Sequence, residues 1–373
     1  MQRFLKHYAA FFRLPGVPRL LSIALVARMP VGMMSLSLLM HVRELSGSFA
    51  FAGGMVGAYL VAMASTAPIQ GRLIDRYGPR GVLVATGIVH PAALGLLLFA
   101  APLQLPLTAI APLAIVAGAF VTPISVLMRT LWRHRFDDPG QRRTAFAMDS
   151  VLIEINFTVG PALIGLALLF GTPADAFGIT WLVAASAAPL FVFSGAPRYW
   201  KRAADEDRHL LGPLTERRLL VVYATSSALT FAFGMLEVGY PGFAARAGMV
   251  AFGGALLAVC STGSAIGGIA YGGLPFALPL ERQLPRLLLA FVAGLLIAPA
   301  LTALSLLVTQ YAPTRYDTEA FTWMSTCIVI GVGAGMAVGG QLVESVGPWA
   351  AFASAGAAGI VAAFVSSALR RGK

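Results

Sequence analysis

Apolar residues run through this 373-residue chain in long blocks, not in alternation or in a narrow amphipathic stripe. The blocks fall at about 18–40, 49–70, 82–101, 107–131, 144–170, 177–196, 219–241, 249–272, 287–309, 319–343 and 348–368. Twenty apolar residues in a helix reach about 30 Å, the depth of a bilayer's hydrocarbon core. Short basic, Gly/Pro-containing or polar connections separate them. The pattern predicts an all-α integral membrane protein with about 11 transmembrane helices.

Composition agrees, since 58% of the residues are hydrophobic and only 12% charged. Soluble domains carry about 25% charged residues, so that class is excluded. The net charge of +11 does not form a continuous face, which argues against nucleic acid as a partner. The connections 1–19, 71–81, 129–143 and 197–218 hold 18 of the 27 Lys and Arg. The alternate connections 41–48, 102–106 and 171–176 hold only Arg43. By the positive-inside tendency, the N-terminus and the 197–218 stretch are expected in the cytoplasm, in a multi-pass bacterial inner-membrane protein. No cleavable signal peptide is read at the N-terminus. Cys260 and Cys327 lie inside apolar runs and fit neither a disulfide framework nor a metal site.

Internal similarity divides the chain. Phe51-Ala52-Gly53-Gly54 resembles Ala251-Phe252-Gly253-Gly254, an offset of 200 (253 − 53). Further on, Gly118-x4-Pro123 resembles Gly294-x4-Pro299, and Ala145-Phe146 resembles Ala320-Phe321, at offsets of 176 (299 − 123) and 175 (320 − 145). The predicted domains are a six-helix bundle over 1–196, a cytoplasmic linker over 197–218 and a second bundle of about five helices over 219–373. The drop in offset, about 24 residues, equals one span at 1.5 Å per residue, so the third span of the second half is expected to be missing. Two topologies remain open. Eleven simple crossings put Arg370, Arg371 and Lys373 outside, against the charge bias; otherwise Leu274–Arg286 crosses as irregular chain.

The most specific stretch is Gly71-Arg72-Leu73-Ile74-Asp75-Arg76-Tyr77-Gly78-Pro79-Arg80, between spans two and three. Its pattern G-x-L-x-D-R-x-G-x-R resembles the signature loop of the major facilitator superfamily. Gly160-Pro161-Ala162-Leu163-Ile164-Gly165 resembles the span-five signature of that family's exporter branch, with Ile164 where a glycine is usual. The resemblance implies two pseudo-repeated helical bundles, where 12 spans are usual, and alternating access around a midplane site. Gly71, Asp75, Arg76, Gly78 and Arg80 would then form a conformational gate. Gly160, Pro161, Gly165, Pro123 and Pro299 would shape kinked helices.

Charged groups inside spans are costly and default to functional candidates. Arg28 and Glu154 each lie about 15 Å into their span, so they are expected to pair or to share a water-filled cavity. Asn156 and Glu237 are further cavity candidates for substrate or proton. Glu237 precedes Gly239-Tyr240-Pro241-Gly242, a cluster able to unwind a helix end. Asp149, about one and a half turns into span five, suits a cytoplasmic gate. His90 is expected to pack. The sequence shows no P-loop, no catalytic cluster and no metal or cofactor motif, so an enzyme is not expected.

The expected function is secondary transport of a small molecule by a monomer in the lipid bilayer. Efflux of amphipathic or hydrophobic compounds comes first, with protons as candidate coupling ion and antiport as the mode. Import of a sugar or organic acid is the alternative within transport. A non-transporting remnant is the alternative outside it.

Overall fold

The computed structural model describes residues 2–195, 212–248, 252–273, 279–289 and 297–370. Most of the expected linker, Trp200 and the tail residues Arg371 and Lys373 lie outside the described residues. Among those described, nine helical segments are long and apolar enough to cross a membrane.

The contacts divide the chain into two compact units. One, the N unit, comprises residues 12–135 and 155–205; the other, the C unit, comprises 1–11, 136–154 and 206–373. Two helices contribute to both: α1 (Gln2–Arg13) and the long α7 (Pro139–Phe170).

The N unit contains α2 (Val17–Ser46), α3 (Phe49–Tyr77), α4 (Pro79–Leu98), α5 (Leu107–Ala119), α6 (Ile124–Arg135) and α8 (Pro173–Phe193). Met34, Leu38, Leu94, Leu97, Ile110 and Phe177 are central to its core. The fourth apolar run forms one segment, Leu107–Arg135, that is long and apolar enough to cross a membrane, as expected, but its helix is interrupted between α5 and α6. Pro123 has no N–H to give the carbonyl of Ala119, four residues back. That carbonyl instead accepts from Thr66 Oγ1 at 2.9 Å and Gln70 Nε2 at 2.8 Å. His90 Nδ1 lies 2.7 Å from the carbonyl of Ala117, so α3 and α4 together satisfy the break.

The C unit contains α9 (Arg217–Arg246), α10 (Phe252–Gly273), α11 (Leu280–Leu289), α12 (Ile297–Tyr311), α13 (Asp317–Ser345) and α14 (Pro348–Ser367). Helices α9 and α13 run parallel. Tyr223 donates to the carbonyl of Ala320, Ser227 to that of Cys327, and Gly339 meets Met235 further along. The approach depends on glycine, for a Cβ at Gly335 would sit 2.1 Å from the carbonyl oxygen of Phe231. Helix α14 runs back, its Phe352 ring lying 5.2 Å from Tyr240 near the end of α9.

The packing partners repeat. Pairs α2–α8, α3–α5, α4–α8 and α4–α5 in the N unit correspond to α9–α14, α10–α12, α11–α14 and α11–α12 in the C unit. Helix α11 therefore takes the place of the third span of the second half, which was expected to be missing. Of the stretch 274–286, for which an irregular crossing was one of the two open topologies, residues 280–286 belong to this helix, while residues 274–278 lie outside those described. Of the span expected over 287–309, residues 290–296 lie outside those described and 297–309 belong to α12.

Their directions follow from the side chains. Gln283 of α11 accepts from Tyr271 at the end of α10, at 2.8 Å. Glu281 of α11 accepts from Gln310 and Tyr311 at the end of α12, at 2.9 and 2.7 Å. The start of α12 instead lies against Ser264, about 13 Å back from the end of α10. So the described parts of α11 and α12 form an antiparallel pair, about 15 and 22 Å long. Both of its outer ends face the side where α9 begins, as the Arg218 guanidinium over the Tyr311 ring confirms. Helix α13 then keeps the direction of α9.

Candidate functional site

The signature stretch is almost entirely helix. Helix α3 continues through Tyr77, and Gly78 alone makes the reversal into α4, with φ 85° and its N–H on the carbonyl of Ile74 at 2.8 Å. Such a φ favours glycine over any residue with a Cβ. Asp75 points inward and is 3% exposed, while Arg76 and Arg80 are exposed and the Arg76 guanidinium covers the Tyr77 ring. Gly71 is buried one turn before Asp75.

In the C unit, the first half of α7 carries a stripe that packs on α10 and α12. Thr144 Oγ1 donates to the carbonyl of Gly272 at 2.9 Å, and Ser150 Oγ meets Thr302 Oγ1 at 3.0 Å. Between them, Ala147 touches Gly272 and Val151 touches Gly268, where added Cβ atoms would collide. The stripe ends at Glu154, which is buried. Its Oε1 accepts from Ser264 Oγ at 2.7 Å, with the Ser261 hydroxyl also in reach. Ser264 Oγ in turn accepts the N–H of Ala298 at 2.9 Å. Both Ala298 and Ser264 are fully buried. Ser264 thus caps this buried N–H of α12 and links it to a carboxylate. Neither Ser264 nor Ala298 stood out in the sequence, because a serine in an apolar run carries no distance information.

Glu237 on α9 is half-buried and within electrostatic reach of Glu154. Cys260 on α10 lies near both carboxylates and shares a hydrogen bond with Tyr240. The Gly239–Gly242 cluster does not unwind α9, which continues through Pro241 to Arg246. Gly239 and Gly242 instead receive Phe352 and Val343 as close neighbours.

Other candidates are dispersed. Asp149 is 1% exposed and about three turns into α7, not one and a half, because the helix begins at Pro139. Arg28 is buried in the N unit, whereas Glu154 is assigned to the C unit. Asn156 is 3% exposed, and its Oδ1 has no hydrogen-bond partner among the described residues. Its backbone carbonyl closes on Gly32, where a Cβ would come within 2.2 Å. Gly160 meets Gly32 one turn later, Pro161 lies within the unbroken α7, and Gly165 faces open space. Pro299 is buried in α12, whose first described residue is Ile297. Among the described residues no group of three His, Cys, Asp or Glu side chains is arranged to hold a metal.

A family model described as Major Facilitator Superfamily matches residues 20–285. The chain belongs to this superfamily. The match stops inside α11. No curated protein sequence matches the chain. Among solved structures, the superfamily member is similar to the human organic anion transporter TETRAN at 16% identity and a TM-score of 0.70, covering 95% of this chain and 100% of that one. A bacterial homologue of the iron transporter ferroportin, in an outward-facing state, gives 12% identity and a TM-score of 0.72, with 96% and 100% covered. The E. coli fucose:proton symporter gives 13% and 0.63, with 95% and 99% covered. At these identities the likeness concerns the fold, that of a multi-pass superfamily transporter.

Proposed function

We propose that this protein exports amphipathic or hydrophobic compounds by alternating access, in antiport with protons. It acts as a monomer whose N-terminus lies in the cytoplasm, the side on which the basic connections cluster. The observation that carries the proton reading is Glu154, a buried carboxylate within a spanning helix, reached by a serine hydroxyl from a neighbouring helix. Ionisable groups in such places are the usual carriers of protons through transporters. Glu237 and Arg28 are the further charged candidates, and the buried Asn156 offers an acceptor oxygen. Asp149 and the Gly71–Arg80 stretch act on the exchange between states and not on the substrate.

Reconstituted vesicles with an imposed pH gradient and a fluorescent lipophilic dye test this reading. Wild type is expected to move dye against its gradient when the interior of the source compartment is made alkaline relative to the destination. Glu154→Gln is expected to lower gradient-driven movement by about tenfold while keeping downhill exchange, as loss of the coupling group alone predicts. Equal gradient-driven flux in the two proteins rejects proton carriage by Glu154.

A further inference from the structure

Helix α1 has 12 residues and reaches about 18 Å, too short to cross a bilayer. It is nevertheless anchored. Tyr8 donates its hydroxyl to the carbonyl of Ile269 on α10. A Cβ at Gly272 would lie 2.7 Å from that hydroxyl and 2.5 Å from the Ala147 methyl of α7. The Gly272 carbonyl also accepts from Thr144, so α1 and the first half of α7 close on the same point of α10. Phe11 packs on Phe136, shortly before α7, with ring centroids 5.7 Å apart. Past Arg13, only Leu14, Pro15 and Gly16 connect α1 to α2. Gly16 takes a φ of 76°, and Arg135 donates to the carbonyl of Pro15, which fixes the point from which α1 leaves.

The sequence of α1 suits a second docking place. Phe4, Leu5, Tyr8, Phe11 and Phe12 recur at helical spacing along one face. Arg3, Lys6 and Arg13 fall on the opposite face, and α1 has no acidic residue. A basic amphipathic helix of this kind lies in the head-group layer of an anionic bilayer with its apolar face buried. Tyr8 and Phe11 belong to that face and are already buried on the C unit, so the two docking places exclude each other. We propose that α1 is a strap that binds either α10 or an anionic lipid surface, and that its transfer to lipid lets the first half of α7 part from α10 and α12. The parting of α7 rests on the alternating-access reading; the two docking places do not. Phe12 and Arg13 are exposed while α1 is docked, and they are where lipid first takes hold.

Spin labels follow α1 directly. In full-length Cys260→Ser/Cys327→Ser protein, labels at Ala10→Cys and Arg282→Cys, both exposed positions, report the distance from α1 to α11. Helix α11 is tied to α10 through Gln283 and Tyr271. Phosphatidylcholine nanodiscs are expected to give one short distance. With equal parts phosphatidylglycerol a longer distance should appear, and it should recede at high salt. Tyr8→Phe removes one hydrogen bond but keeps the ring, and should raise the ratio of long to short distances about fivefold. Arg3→Gln, Lys6→Gln and Arg13→Gln together should keep the short distance in both lipids. Ser150→Cys in the same background reads the movement of α7. Ser150 is buried against Thr302 of α12, so a water-soluble maleimide reaches it only when the two helices part. Its labelling rate should rise with the long-distance fraction, across lipids and in Tyr8→Phe. The proposal is overturned by a distance that ignores lipid charge, by movement that persists in the neutralised helix, or by Tyr8→Phe without effect. Labelling that stays constant while α1 moves also overturns it. If both responses hold and vesicles still export no dye, the export reading alone is rejected.

Discussion

Replacing Ser264 by alanine removes two interhelical bonds at once. Its hydroxyl donates to Glu154 Oε1 at 2.7 Å and accepts the N–H of Ala298 at 2.9 Å, and the residue is fully buried. A neutral interhelical hydrogen bond in a membrane protein is worth about 0.6 kcal/mol. A buried N–H left without a partner costs about 1–3 kcal/mol. Ala298 is fully buried, so the second figure applies to it. Together the losses come to about 2–4 kcal/mol. Ser226→Ala is the matched control, since that serine is equally buried but its hydroxyl only bonds back to Val222 within α9. Loss of such a bond should cost under about 0.5 kcal/mol, because the helix keeps its backbone ladder. Reversible unfolding of both variants in mixed micelles, read by tryptophan fluorescence and helical circular dichroism, gives the difference directly. If Ser264→Ala matches Ser226→Ala within about 0.5 kcal/mol, the capping argument is wrong.

Two further outcomes are expected. Asp75→Asn should slow dye flux several-fold while leaving membrane insertion and monodispersity intact, because the buried carboxylate stands in the last turn of α3 with exposed arginines around it; flux equal to wild type contradicts a gating role. Gly335→Ala places a Cβ 2.1 Å from the carbonyl of Phe231, whereas Gly340→Ala on the same helix meets nothing within 4 Å. The first should cost about 1–3 kcal/mol by forcing α9 and α13 apart, and the second should be neutral or slightly stabilising, as thermal unfolding of the two variants will read.

What could be read along the chain was what lies close in sequence. Span positions follow from block hydropathy, the α3–α4 reversal from Gly78, and the break between α5 and α6 from Pro123. The acceptors Thr66 and Gln70 that heal that break are polar residues inside an apolar run, and their purpose appears only when α3 meets Ala119. The stripe Thr144, Ser150, Glu154 on α7 is similar: its spacing is helical, but its partners lie on α10 and α12. Gly239–Gly242 misled for a physical reason. Pro241 deletes one bond near the end of α9, where few carbonyls depend on it, and the two glycines are used for packing.

The drop in offset along the chain does not fix which helices it touches. About 24 residues equal one full span, but they also equal the two far halves of adjacent antiparallel spans. Block hydropathy does not distinguish these, since residues 287–309 are apolar whether or not the chain turns among them. Direction does. Deleting one whole span reverses every helix that follows, which would turn α13 against α9 and undo the close approach at Gly335 and Gly339. Deleting two half-spans leaves α13 parallel to α9 and α14 returning, so those contacts persist. The same choice returns Ala368–Arg370, at the end of α14, to the side where α9 and α11 begin.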